Sequence, residues 1–96
     1  MTNQTSNFSF SVSPEATVSA HDEGIVILHT GNGRVFSSNQ SGALIWRGIE
    51  QRRSVDGIVE EMSREFQIAG TTARAHTLNF VAALEQQALI QREVAS

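Results

Sequence analysis

The first third of the chain alternates short apolar runs with turn residues, a pattern typical of antiparallel strands. Residues 24–29, Gly-Ile-Val-Ile-Leu-His, are rich in β-branched side chains and predict a buried strand. The pair Asn32-Gly33 tolerates the positive φ of a tight hairpin turn, so residues 34–37 are the expected return strand. A shorter strand is expected before them, over residues 16–20.

Beyond the hairpin, the apolar residues recur with helical spacing. The clearest stripe predicts the second helix, with Ser54 as its N-cap, and consists of Val55, Ile58, Val59, Met62 and Phe66. The first helix is expected to begin with Asn39 or Ser41 as its N-cap and to carry the apolar run 43–46. Gly48 is the expected C′ residue that would end this helix early.

A third helix is predicted after Gly70, which interrupts the helical pattern, with Thr71 or Thr72 as its N-cap. Phe80 lies beside its expected core stripe, which consists of Leu78, Val81, Leu84 and Ala88. Residues 89–90 are expected to begin a short extended segment.

Three short amphipathic helices cannot bury their apolar stripes separately, so they must converge on each other and on one face of the sheet. We therefore predict an α+β fold, in which an N-terminal three-stranded antiparallel β-meander is followed by a three-helix bundle in a winged-helix-like arrangement. A chain of 96 residues suits one domain. Because polar residues dominate its start, residues 1–13 are expected to be a flexible tail and residues 14–96 a single domain.

Composition narrows the cellular setting and the classes of partner. The formal net charge is −3, which disfavours non-specific binding of nucleic acid, since such binding needs clustered cations. The chain has no cysteine, so a reducing cytoplasm is the expected location. Its apolar runs are far shorter than the roughly 20 residues of a membrane span, and we expect no membrane association.

The sequence offers little of the chemistry that catalysis needs. The three histidines, His21, His29 and His76, lack the spacing of a metal-binding helix. Glu60 and Glu61 are adjacent and point in different directions from one helix, so they are not a ready acid–base pair. We expect no enzyme activity, no metal and no cofactor.

One segment has the signature of a known family. Residues 33–46, GRVFSSNQSGALIW, resemble the motif G-r-y-f-x-L-N-x-t-G-a-x-i-W of the pyrroloquinoline quinone biosynthesis protein D (PqqD) family. Residues 54–59, SVDGIV, are similar to its s-v-d-e-I-v, and FVAAL followed by ALI is similar to its F-L-x-x-L and G-L-i. The chain departs from the motif where Ser38 replaces leucine and Val35 replaces an aromatic residue.

The resemblance implies a non-catalytic peptide chaperone, also called a RiPP recognition element. Such proteins bind the leader segment of a ribosomally made precursor peptide and present it to a modifying enzyme, which is a radical SAM enzyme or a leader peptidase or cyclase. The leader is expected to add as a strand to the edge of the meander and to lie against the third helix. The candidate peptide-binding residues are Arg34, Val35, Phe36, Ser37 and Ser38 on the edge strand, and Arg74, Ala75 and Leu78 on the helix.

Arg74 and Leu78 each have a second interpretation. Arg74 is placed to pair with a leader carboxylate, or it is an ordinary solvated residue. Leu78 lines the groove, or it belongs to the core stripe.

Two other function classes fit the same outline. A winged-helix DNA-binding protein would insert its third helix into the major groove, but that helix offers only Arg74 and His76 as cations, with Glu85 opposing them. A dimeric structural adaptor would pair its open sheet edge with a second copy. The sequence leaves a monomer and a homodimer equally open.

Overall fold

The computed structural model describes residues 9–93. Four strands come first, three helices follow, and a fifth strand ends the described chain. The strands are β1 Ser9–Val12, β2 Ala16–His21, β3 Gly24–His29, β4 Val35–Ser38 and β5 Ile90–Glu93. The helices are α1 Gln40–Glu50, α2 Val55–Phe66 and α3 Gly70–Gln86. No helix within residues 9–93 combines the length and apolarity needed to cross a membrane.

The predicted α+β fold is confirmed. Strands β2, β3 and β4 form an antiparallel sheet in the order β2-β3-β4, and the three helices follow it in sequence. In the register of the hairpin, Ile27 of β3 lies opposite Val18 of β2 and opposite Phe36 of β4. Side chains on one face of this sheet pack on α1, whose buried residues include Leu44, Ile45, Trp46 and Ile49.

The prediction of a flexible tail over residues 1–13 is wrong for residues 9–12. Ser9–Val12 is β1, which pairs antiparallel with β5 in a second, two-stranded sheet. Phe10 is only 2% exposed, and the guanidinium of Arg92 lies 5.9 Å from the centre of its ring. One buried aromatic side chain and a strand partner from the other end of the chain therefore order this segment. Residues 1–8 of the predicted tail lie outside the described residues.

Two of the predicted helix caps are confirmed. The Asn39 side chain accepts a hydrogen bond from the Gly42 N–H at 3.2 Å, and the Ser54 hydroxyl accepts one from the Gly57 N–H at 3.1 Å. The predicted cap of α3 is wrong, because this helix begins at Gly70 after Ala69 and has no side-chain cap.

Gly48 does not end α1 as predicted. The helix continues to Glu50, and Gly48 is buried against Ile58 of α2. A Cβ atom at position 48 would lie 2.6 Å from Cγ1 of Ile58. The glycine therefore serves the close approach of α1 and α2, a packing role that the sequence pattern does not distinguish from helix termination.

The turn between β3 and β4 is organised by a buried histidine. Nδ1 of His29 accepts hydrogen bonds from the backbone N–H groups of Gly31, at 3.1 Å, and Asn32, at 3.2 Å. Its Nε2 lies 3.5 Å from a carboxylate oxygen of Glu15. The ring thus joins the turn to the segment before β2, because one ring nitrogen contacts the turn and the other contacts Glu15. These contacts stabilise the hairpin that carries β4.

We expect His29→Ala to lower the free energy of unfolding by about 1–2 kcal/mol, because two N–H groups of the turn lose their acceptor. Urea denaturation followed by circular dichroism measures this loss. His21→Ala is the matched control, since His21 is exposed and contacts only Ser19 of its own strand among the described hydrogen bonds. Equal stability of the two variants would contradict the role of His29 in the turn.

Candidate functional site

Strand β4 is one of the two edges of the larger sheet. Within residues 9–93 this strand pairs on one side only, with β3. An edge strand presents backbone N–H and C=O groups to which another strand can add. This is the edge that the hairpin pattern predicts, although Arg34 lies just before the strand and not within it.

The hydrogen bonds between β3 and β4 determine which groups face the open edge. The N–H of His29 donates to the carbonyl of Arg34 at 2.9 Å, so these residues form a bonded pair. Bonded and non-bonded pairs alternate along an antiparallel ladder, and the next pair, Leu28 and Val35, is therefore non-bonded. It follows that the N–H and C=O groups of Val35 and Ser37 point away from β3, towards the open edge.

The side chains of β4 alternate between two surroundings. Phe36 and Ser38 are half-buried on the face that meets the helices, whereas Val35, 64% exposed, and Ser37 lie on the outer face. The ring of Phe36 meets the ring of Phe80 on α3 edge to face, with the ring centres 5.6 Å apart. This aromatic contact fixes the distance between the edge strand and the helix.

A groove lies between β4, the start of α1 and α3, and we call it the edge groove. Its volume is about 310 Å³, and it is lined by Ser38, Asn39, Ser41, Gly42, Ile45, His76, Asn79 and Phe80. Three of these residues, His76, Asn79 and Phe80, have the i, i+3, i+4 spacing that brings side chains to one face of α3. That face is the wall of the groove.

The structure separates two of the three predicted helix residues, Arg74 and Leu78, from this wall. Leu78 lies two residues from both His76 and Phe80, which places it about 160° around the helix from each. Arg74 lies on the same side as Leu78 and donates a hydrogen bond at 2.6 Å to Asp56 of α2. Of the predicted set, Ala75 alone borders the wall, one turn before Asn79.

The core side of α3 also differs from the predicted stripe. The buried residues are Ala73, Thr77, Val81 and Leu84, whereas Leu78 is 39% exposed and Ala88 lies beyond the helix. Because the side chains at positions 73 and 77 are small or polar, the apolar pattern of the sequence does not identify the face of α3 that is buried. The helix is therefore rotated relative to the prediction, and its groove side carries His76, Asn79 and Phe80 instead of Arg74 and Leu78.

A signal for this wall is nevertheless present in the sequence. Phe80 is the first residue of the FVAAL motif and lies outside the apolar stripe, and His76 and Asn79 precede it by four residues and one residue. An aromatic residue beside the stripe indicates a second contact of the helix, in addition to its contact with the core. The partner of that contact is Phe36, which the sequence alone does not identify.

Very close packing joins the end of β4 to the helices. A Cβ atom at Gly42 would lie 2.0 Å from Oγ of Ser38 and 2.8 Å from a ring carbon of Phe80. Gly24, with φ of 152°, lies equally close, since a Cβ there would be 1.9 Å from the Ser38 carbonyl oxygen. Ser38 is thus enclosed on two sides, and its small side chain matches the space.

Opposite charges flank the two ends of strand β4. Arg34 precedes β4 at one end, whereas the exposed Glu23 lies beside Ser37 and Ser38 at the other end. No arginine is among the residues that line the edge groove. Within residues 9–93 no cluster of three or more histidine or acidic side chains is arranged to hold a metal ion.

Comparison with known proteins identifies the family. Residues 24–90, which make up more than half of the chain, match the sequence profile of coenzyme PQQ synthesis protein D (PqqD). The chain belongs to the PqqD family. The matched span of this PqqD domain includes the open-edge strand β4 and all three helices.

Two solved structures share the fold of this PqqD domain. One is TbiB1 in complex with the TbiA(beta) leader peptide, with a TM-score of 0.79 and 23% identity over 90% of this chain and 99% of that chain. The other is lasso peptide synthetase B1 complexed with the leader peptide, with a TM-score of 0.79 and 23% identity over 86% of this chain and 98% of that chain. No functionally curated protein matches the sequence significantly.

Gly42→Ala is expected to destabilise this PqqD domain by about 1–3 kcal/mol, because the added methyl group overlaps Ser38 and Phe80. The midpoint of urea unfolding reports the change. Gly70→Ala, at the start of α3, is the matched control, since its Cβ meets no atom within 4 Å and we expect no loss. Unchanged stability of the Gly42 variant would contradict the tight junction around Ser38.

Proposed function

We propose that this protein is a peptide chaperone that binds the leader segment of a ribosomally made precursor peptide by strand addition to β4. The observation that carries the proposal is the open edge of β4 beside the groove wall of α3. The same fold occurs in two proteins whose structures were solved with leader peptides bound. The leader would extend the sheet from three strands to four.

Backbone groups would supply most of the affinity. The N–H and C=O groups of Val35 and Ser37 can each pair with an added strand, and this pairing does not depend on the peptide's sequence. Because side chains alternate along a strand, every second residue of the peptide would face α3. Those residues would contact Phe36, Phe80 and Asn79, and this contact is where one leader is distinguished from another.

The same geometry argues against recognition of DNA by α3. Arg74 is the one arginine of this helix, which has no lysine, and it is hydrogen-bonded to Asp56. The groove wall of α3 carries one histidine and no arginine. A recognition helix whose one arginine is paired with a carboxylate lacks the phosphate contacts that supply most protein–DNA affinity.

The role we propose is presentation of the leader, with the chemistry performed by another protein. A radical SAM enzyme, or a leader peptidase or cyclase, is the proposed partner, and the cytoplasm is the proposed location. Neither a cofactor nor a metal is needed for strand addition. The outer face of the sheet would remain accessible to such an enzyme after the leader has bound.

We expect Ser37→Pro to weaken leader binding about tenfold or more, because proline removes the N–H that faces the open edge. The candidate precursors are the short reading frames that neighbour this gene, and a synthetic copy of the N-terminal segment of each is tested as the ligand. Its affinity is measured by fluorescence polarisation. Proline is tolerated at such edge positions, so β3–β4 pairing is retained.

Ala20→Pro is the matched control. Ala20 lies on β2, the opposite edge of the same sheet, and its N–H also points away from β3. The control should bind the leader like the wild-type protein. Equal weakening in both variants, or unchanged amide shifts of residues 35–38 at saturating peptide, would refute strand addition at β4.

A further inference from the structure

The larger sheet has a second edge, strand β2, on the side of β3 opposite to β4. Five of the six residues of β2 are exposed, and within residues 9–93 this strand pairs with β3 alone. Helix α1 packs mainly on β3, and α3 lies beside β4 through the contact between Phe80 and Phe36. Strand β2 is thus the less covered of the two edges.

The alternation of hydrogen bonds determines which backbone groups of β2 face outwards. The rule that assigns the outward groups of β4 places the backbone groups of Ala16, Val18 and Ala20 on the side away from β3. The N–H of Ala16 already donates to the Ser13 carbonyl at 3.0 Å. The N–H groups of Val18 and Ala20 and the carbonyl groups of all three residues are therefore placed to pair with an added strand.

A second copy of β2 fits this edge in a register that uses the whole strand. A two-fold axis perpendicular to the sheet makes the two copies antiparallel, and an axis at Val18 places this residue opposite its counterpart and Ala16 opposite Ala20 of the second copy. The two Val18 residues would then exchange both of their N–H···O bonds, and each Ala20 N–H would donate to an Ala16 carbonyl. Both outward N–H groups of β2 are satisfied in this arrangement.

The polar groups at the two ends of β2 favour the same register. The strand is preceded by Glu15 and ends at His21. With the axis at Val18, Glu15 of each copy lies opposite His21 of the other, and an imidazole N–H can donate to a carboxylate. Moving the axis one residue towards His21 places Glu15 opposite Glu23 instead, and like charges directly opposite each other are destabilising. The Glu15 side chain is 56% exposed, so its carboxylate is accessible to a second copy.

The same axis brings together the largest apolar side chain of β2. Val18 is 36% exposed and lies on the face of the sheet that carries the buried Ile27. In the two-fold arrangement the two Val18 side chains would lie side by side on this face. Facing β-branched residues stabilise antiparallel pairs, so this contact adds an apolar centre to the backbone hydrogen bonds.

The helices leave room for a second copy at this edge. Both copies would carry their helices on the same face of the joined sheet. The two β3 strands would be three strand spacings apart, which is about 14 Å. Helix α1 packs on β3, and a helix with its side chains is about 10–12 Å wide. The two α1 helices can therefore lie side by side without overlap.

We infer that β2 is a self-association edge, through which two copies of this protein join their three-stranded sheets into one continuous antiparallel sheet. The contact is small, so the dimer exchanges with the monomer. The two β4 strands form the outer edges of the joined sheet, and self-association does not compete with strand addition at β4. The inference is independent of the proposed function, and it gives the assembly two equivalent open edges.

Sedimentation equilibrium of the full-length protein, from about 1 µM to 1 mM, tests the association. We expect the mean mass to rise from one chain towards two and no further, because a two-fold contact is closed. Ala20→Pro removes an outward N–H of β2 and should weaken the dimer about tenfold or more. Ser37→Pro, the same change on β4, is the matched control and should dimerise like the wild-type protein.

Two substitutions at the exposed His21 test the register. His21→Glu places a carboxylate opposite Glu15 of the second copy and should weaken the dimer about threefold, whereas His21→Arg should strengthen it by a similar factor. Both variants keep the outward backbone groups of β2, so a difference between them reports charge alone. Added salt should reduce that difference, since exposed charges are screened.

The outcomes distinguish β2 from the other edge. A protein that remains a single chain up to about 1 mM overturns the inference. Loss of the dimer in Ser37→Pro instead of Ala20→Pro places the contact at β4 and also overturns it. A mass above two chains indicates a head-to-tail contact between β2 and β4, with the same consequence. Leader affinity is measured separately, so a monomeric Ala20→Pro variant that binds the leader normally leaves the proposed function intact.

Discussion

The absence of space around Ser38 is the constraint on which the rest of the architecture depends. At this position the end of β4, the hairpin residue Gly24 and the first turn of α1 approach so closely that neither Gly24 nor Gly42 has room for a Cβ atom. The Asn39 cap then starts α1 immediately after the strand. Because strand, turn and helix are fixed at one point, the direction of α1, and with it the position of α3 beside β4, has little freedom to vary.

Elements with strong periodicity were predictable from the sequence. The stripe of α2 and the caps Asn39 and Ser54 are where the pattern places them, and the Asn32-Gly33 turn connects the expected strands. Each of these signals is local, since it depends on residues within a few positions of one another. Strand β1 was missed for the opposite reason. Only two of its four residues are apolar, and it is stabilised by β5 from the other end of the chain and by burial of Phe10.

The candidate site combines one element that is set by local sequence, strand β4, with one that is not, the rotation of α3 about its axis. The edge strand follows from the hairpin, and it was predicted correctly apart from Arg34. The groove wall depends on how far α3 is rotated about its own axis, which is set by burial of Ala73 and Thr77, two residues with little hydrophobic signal. Because Leu78 is the more apolar residue, the sequence pattern places it in the core stripe and predicts a different rotation of α3 about its axis. The predicted wall therefore contains the side of α3 that carries Arg74, which in the folded protein faces α2.

Pairing of β1 with β5 also determines where the domain is tethered. Ser9 and Glu93 are register partners, so the chain enters and leaves the described fold at neighbouring points of a sheet that does not include β4. Antiparallel partners have Cα atoms about 4.5–5.5 Å apart, a gap that a very short linker can close. The ends of the described fold therefore have the spacing needed for insertion into a surface loop of a larger protein, with strand β4 left unobstructed.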